Sequence, residues 1–203
     1  MIPLIPSMLL FSLALSISPG PVNMVIVSSG VNHGFRRTLP YVSGATIGFT
    51  LLLVFVGFGL LQLLPRHPLF MKSLAVLGSA FIVYIGYRIA SADPRIETGG
   101  KKNVPTFMEG FALQWLNPKA WLACASGAAL FSDPRTITPL MLFVLIYFAV
   151  CYASLAAWAL LGDRAATYLN NEMRIHAFNL SMGSLLVAMA AYLVFVQVLQ
   201  PAG

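Results

Sequence analysis

The chain predicts an all-α integral membrane protein of six transmembrane helices, arranged as two inverted three-helix repeats. Three observations carry this expectation. Of 203 residues, 59% are hydrophobic and only 9% are charged, against about 25% charged in an ordinary soluble domain. Apolar runs recur six times along the chain, and a spanning helix needs roughly 20 such residues. Two of the runs, the first and the fourth, are broken near their middles by proline motifs, Ser18-Pro19-Gly20-Pro21 and Leu116-Asn117-Pro118-Lys119. Barrel strands would read as short alternating segments, which these runs are not.

Taken in order, span 1 covers about Leu4 to Val31, with its break at 18–21. No Lys or Arg precedes it, so it lacks the basic n-region of a signal peptide and is expected to stay in the protein. A basic turn with Arg36 and Arg37 leads to span 2, Pro40 to Leu64, with Pro40 as first helical residue. Span 3 is about Leu69 to Ala90, with Lys72 and Arg88 reaching outward from its ends. Residues 91–105 form a polar linker. Span 4 runs from about Thr106 to Phe131 and holds the second break. Span 5 starts at Pro139 and ends at Leu161; Asp163 to Arg174 is read as an amphipathic connection, and span 6 as Ile175 to Leu199.

This divides the chain into a first repeat at 1–90, a cytoplasmic linker at 91–105 and a second repeat at 106–203. At an offset of 99 residues Pro19 meets Pro118, Pro40 meets Pro139 and Arg36 meets Arg135. Three spans per half turn the second half upside down relative to the first, and rocking of the two halves is the expected motion. The turns 1–2, 3–4 and 5–6 carry Arg36, Arg37, Arg88, Arg95, Lys101, Lys102, Arg164 and Arg174, whereas the other face has Arg66, Lys72 and Arg135. Basic loops stay cytoplasmic, which places both termini outside the cytoplasm.

Irregular backbone at membrane depth is tolerated only where protein buries it or water reaches it. Paired breaks in two halves therefore mark a transporter's binding site. Lys119 is the sharpest single signal. It lies roughly 20 Å into span 4 at 1.5 Å per residue, where a charge is costly and usually functional. The helix starts after Gly20 and Pro118 present backbone amides that favour a carboxylate. Asn23, Asn117 and the interior Gln114 can serve orphaned backbone groups or a polar ligand. The substrate-binding set is thus Pro19, Gly20, Pro21, Asn23, Gln114, Asn117, Pro118 and Lys119. Glu109 is expected to be solvated near the interface. Trp115 and Trp121 serve as packing or as ring faces for an ammonium group. Gly44 and Gly48 form a GxxxG for packing within the bundle, with a homodimer contact as the alternative.

Several classes fall away. The excess of bases over acids, +6, reflects loop orientation; aromatic and basic residues are not interleaved, so nucleic acid is no partner. Cys124 and Cys151 form no CxxC and no metal spacing, and read as small buried hydrophobes. His33, His67 and His176 fall near span ends, away from any intramembrane metal path. No nucleophile–base or metal constellation suggests an enzyme or a cofactor. A non-transporting membrane scaffold or sensor is the remaining rival, and it gains little from a midplane lysine.

The chain resembles the LysE/RhtB amino-acid exporters. The matching text is Ser18-Pro19-Gly20-Pro21 with Ser28-Ser29-Gly30 and His33-Gly34, the run Leu77 to Tyr87, and Phe107-Met108-Glu109-Gly110 leading to Leu116-Asn117-Pro118-Lys119-Ala120. Asn stands at 23 rather than directly after the second proline. The resemblance implies proton-driven efflux of amino acids or close derivatives across the bacterial inner membrane. No Asp or Glu lies deep in a span, so a neutral or small polar amino acid is expected, its carboxylate meeting Lys119; a different small solute is the alternative cargo.

Overall fold

A computed structural model describes residues 4–59, 68–92, 104–133, 135–169 and 171–196. Most of the linker, together with Arg66, His67, Arg95, Lys101, Lys102 and the end of span 6, lies outside the described residues. The described chain is all-helical: α1 (Ile5–Ile17), α2 (Pro21–His33), α3 (Phe35–Gly57), α4 (Pro68–Ala90), α5 (Phe107–Trp115), α6 (Pro118–Phe131), α7 (Thr138–Ala166) and α8 (Glu172–Val194). Four helices, α3, α4, α7 and α8, are each long and apolar enough to cross a membrane. The bent pair α1 and α2, at 62°, makes a fifth when taken as one span. The protein is a multi-pass membrane protein.

Local chemistry sets the helix ends. Both interruptions fall where proline removes the donor and its ring meets the preceding turn, so α2 and α6 each start on their proline. Pro139 likewise sits in the first turn of α7. Pro40 does not start its helix: it lies inside α3, which begins at Phe35. The reason is the turn before it. Gly34, at φ 82°, reverses the chain in one residue and donates its N–H to Gly30 O at 2.9 Å, a backbone state glycine reaches without a Cβ penalty. Asp163 does not belong to a connection either. It lies in α7, which runs to Ala166, and its carboxylate accepts from the Phe35 N–H at 3.2 Å, serving the open start of α3.

Side-chain contacts bring six helix ends to one face. Arg88 at the end of α4 pairs with Glu109 at the start of α5. Asn32 near the end of α2 exchanges hydrogen bonds with Asn179 of α8 at 2.7 and 3.0 Å. Asp163 joins the end of α7 to the start of α3. Arg36, Arg37, Arg164 and Arg174 lie on the same turns, so this face is the basic one.

The core is built by close helix approach. A Cβ at Gly48 would stand 2.9 Å from Phe111 O, and Gly44 and Gly110 meet the backbones of Phe107 and Tyr41. The GxxxG motif is therefore used between α3 and α5 inside this chain. α3 is the most enclosed span and also packs on α7; α2 and α1 lie on α7, and α4 lies on α8. Each of these main pairings joins a helix before residue 91 to one after residue 105. The two sequence halves interdigitate.

Candidate functional site

The first break opens a short extended segment. Ser18 and Gly20 are extended, with φ/ψ of −63°/130° and −162°/175°. The carbonyls that α1 leaves unpaired are served from the far side of the break: Asn23 Nδ2 donates to Ser16 O at 3.1 Å and to Ser18 O at 3.0 Å. α2 has no side-chain cap. Met24 N–H reaches Gly20 O at 3.0 Å, while the Val22 and Asn23 N–H groups have no acceptor among the described residues. These are orphan donors of a helix start.

The second break is closed on itself. Asn117 caps α6: its Oδ1 accepts from Lys119 N–H at 3.1 Å, and its backbone carbonyl accepts from Ala120 and Trp121 N–H at 2.9 and 3.4 Å. Its neighbours form an aromatic pack. Trp121 Nε1 donates to Trp115 O at 2.8 Å, and the two indoles meet edge to face at 6.3 Å. Phe111 stacks on Trp115, and Phe70 meets Trp121. Both tryptophans serve packing, and neither lines the central cavity.

Lys119 joins the two breaks. Its Nζ donates to Ser18 Oγ at 2.8 Å, across 101 residues of sequence. It lies 3.6 Å from where a Cβ on Gly20 would stand. No carboxylate among the described residues lies within ion-pair distance of it. Glu109, expected in solvent, is instead partly buried against Arg88 and also closes a capping box with Thr106. It is anchored on the basic face and plays no part in the central cavity.

A cavity of about 60 Å³ lies between the breaks. Six of the sequence-derived residues line it: Gly20, Pro21, Asn23, Gln114, Asn117 and Lys119. Pro19 points out of the fold and is exposed; Pro118 is buried. Neither lines the cavity, and their part is to break the helices. Sequence reasoning missed the opposite wall: Ser16, Phe49, Tyr147, Cys151 and Leu155. Phe49 and Tyr147 stack at 4.3 Å, 10° from parallel. The signal available was a Tyr147–Cys151 pair at i and i+4, continued by Leu155 at i+8, on one face of the otherwise apolar α7. Cys151 is a wall of the cavity as well as a buried thiol.

Broken membrane helices that close around a polar cavity are the architecture of secondary transporters. The chain matches the LysE type translocator family over residues 13–197, and it belongs to that family. It is 29% identical over 126 residues to the cysteine/O-acetylserine efflux proteins of Escherichia coli (strain K12) and Shigella flexneri serotype 5b (strain 8401). The matched segment covers 62% of this chain and 64% of each relative, so the chain spans somewhat less than two thirds of their length. No solved structure matches the chain.

Proposed function

We propose that this protein is a secondary transporter that exports neutral or small polar amino acids, or close derivatives, from the cytoplasm, coupled to protons. The carrying observation is Lys119, a membrane-depth ammonium without a carboxylate partner, facing a helix start with two unused amides. A charge in such a place needs a compensating group, because an uncompensated one is strongly destabilising. A substrate carboxylate supplies it. The α-carboxylate lies between Lys119 Nζ and the Val22 and Asn23 amides; α6 contributes the lysine, not its own start, because Asn117 already occupies that end. The cavity volume suits a small side chain, and the relatives are named for cysteine and O-acetylserine, both small and polar.

Six spans complete this reading. α5 and α6, of 9 and 14 residues, give about 34 Å of helix at 1.5 Å per residue, enough for a hydrocarbon core of roughly 30 Å. The two broken pairs, α1–α2 and α5–α6, then take equivalent places in inverted repeats at 1–90 and 106–203. The basic face is cytoplasmic, and both termini lie on the other side.

The test is efflux from proteoliposomes loaded with the twenty amino acids, under an imposed pH gradient, with Lys119→Ala beside the parent. Selective loss of a few small polar amino acids that the substitution abolishes is the expected result. Loss that is indifferent to the substitution would make Lys119 structural, and no loss from folded protein would overturn the exporter reading.

A further inference from the structure

A second cavity, of about 30 Å³, lies above the central one on the basic face. The two have no lining residue in common, but α2, α3 and α5 line both. On α2, Pro21 and Val22 line the central cavity, while Val25, Ser28, Ser29 and Asn32 line the second. These positions form one helical stripe, with about 10 Å from Val22 to Ser29. α3 contributes Phe49 below and Tyr41 above; α5 contributes Gln114 below and Glu109 above. The Tyr41 hydroxyl is fully buried and has no partner among the described residues. Small spaces, mainly apolar and edged by these polar groups, thus lie along α2, α3 and α5 from the basic face toward Lys119.

Its outer wall is α4, through Ile85, Arg88 and Ile89, with Ala92 just past the helix end. α4 packs chiefly on α8: a Cβ at Gly86 would stand 3.0 Å from Gly183 O, and Ser79 Oγ donates to Ala190 O at 3.1 Å. α8 is the least enclosed of the long helices, while α4 also meets the second break, Gly78 lying against the Leu116 carbonyl and Phe70 against Trp121. Two polar side-chain links tie the pair to the rest at the basic face, Arg88–Glu109 and Asn32–Asn179. Both flank the second cavity.

We propose that the α4–α8 pair is the moving element of this protein, and that Arg88–Glu109 and Asn32–Asn179 latch it shut over an access path from the basic face to the Lys119 cavity. A swing of the basic end of the pair, pivoting where Gly78 meets Leu116, leaves the α3–α5 and α2–α7 seams intact. Releasing both latches opens the path; both are made in the structure. The role in transport rests on the exporter reading, but opening itself does not.

Cys151 supplies a native probe, because it lines the central cavity and Cys124 does not. In Cys124→Ala protein, a cationic membrane-impermeant thiosulfonate is applied to each membrane face in turn. Glu109→Gln removes the charge but keeps an acceptor for the capping box. It should speed Cys151 labelling from the basic face about tenfold, the change that losing about 1.4 kcal/mol of closed-state stability gives. Asn179→Ala should act in the same direction. Unchanged rates in both variants, or acceleration from the opposite face, would overturn the proposal. A second arm uses Arg88→Cys with Glu109→Cys in protein lacking both native cysteines. A reducible bifunctional thiosulfonate bridging the two should halt efflux until reductant is added; efflux through bridged protein would overturn the gate. Accelerated labelling in a protein that exports no amino acid would leave the gate standing and remove the exporter reading.

Discussion

The two breaks look alike in sequence and differ in what they leave open. At Leu116–Asn117 the chain consumes its own polar groups: the Asn117 side chain and carbonyl occupy the first amides of α6. At Ser18–Gly20 the asparagine comes after the break and turns backward to the carbonyls of α1, so the first amides of α2 stay free. One break is finished; the other is an unfilled donor site. Lys119 leaves the finished break and leans into the unfilled one. The placement of one asparagine on either side of the proline thus decides which helix start keeps its amides free.

The strongest way to break this comparison is Lys119→Met. Efflux should fall about 100-fold or more, equivalent to about 2.7 kcal/mol. Thermal stability in detergent should hold or rise, because a half-buried charge without a carboxylate partner is gone. Retained efflux would move the anion site away from the open break.

Asn23→Ala should come next. It strips the acceptors Ser16 O and Ser18 O of their partner inside the membrane, at a cost of about 1–3 kcal/mol in unfolding measurements. Gly20→Ala tests openness itself. Its methyl fits at van der Waals distance from Lys119 Nζ, so stability should stay within about 0.5 kcal/mol. The methyl enters the space between ammonium and amides, and apparent affinity should weaken roughly tenfold. Asn117→Ala should have the smallest effect, about 1 kcal/mol of stability for a lost helix cap, with substrate selectivity unchanged. A selectivity change there would show that the second break also touches the substrate.

Much of this was legible beforehand because prolines act locally. A ring that removes a donor disfavours continuous helix, so the interruptions appear where the motifs stand, although Pro40 is carried inside α3. The depth of Lys119 followed from counting residues along an apolar run. Pro40 and Asp163 were misread for a shared reason. The α2–α3 reversal needs only Gly34, and the carboxylate that completes it comes from Asp163, which follows Phe35 by 128 residues. No local pattern announces such a partner. Glu109 was placed in solvent because its ion-pair partner Arg88 sits on another helix. Tyr147 and Cys151 escaped notice because a stripe in an all-apolar helix does not say whether it faces lipid or a cavity.

The sequence by itself determined the membrane class, the breakage of the helices, and a lysine standing at the second break. These depend on composition, on the proline ring and on the cost of charge in hydrocarbon, all of which act within a turn or two of chain. Only the tertiary structure decided what Lys119 faces, which helix start is free, and that α4 and α8 stand together outside a core of interdigitated halves. Those outcomes depend on which helix surfaces meet. Glycine contacts at Gly44, Gly48 and Gly110 fix that by letting backbones approach across large sequence separations, a choice that no single segment can encode.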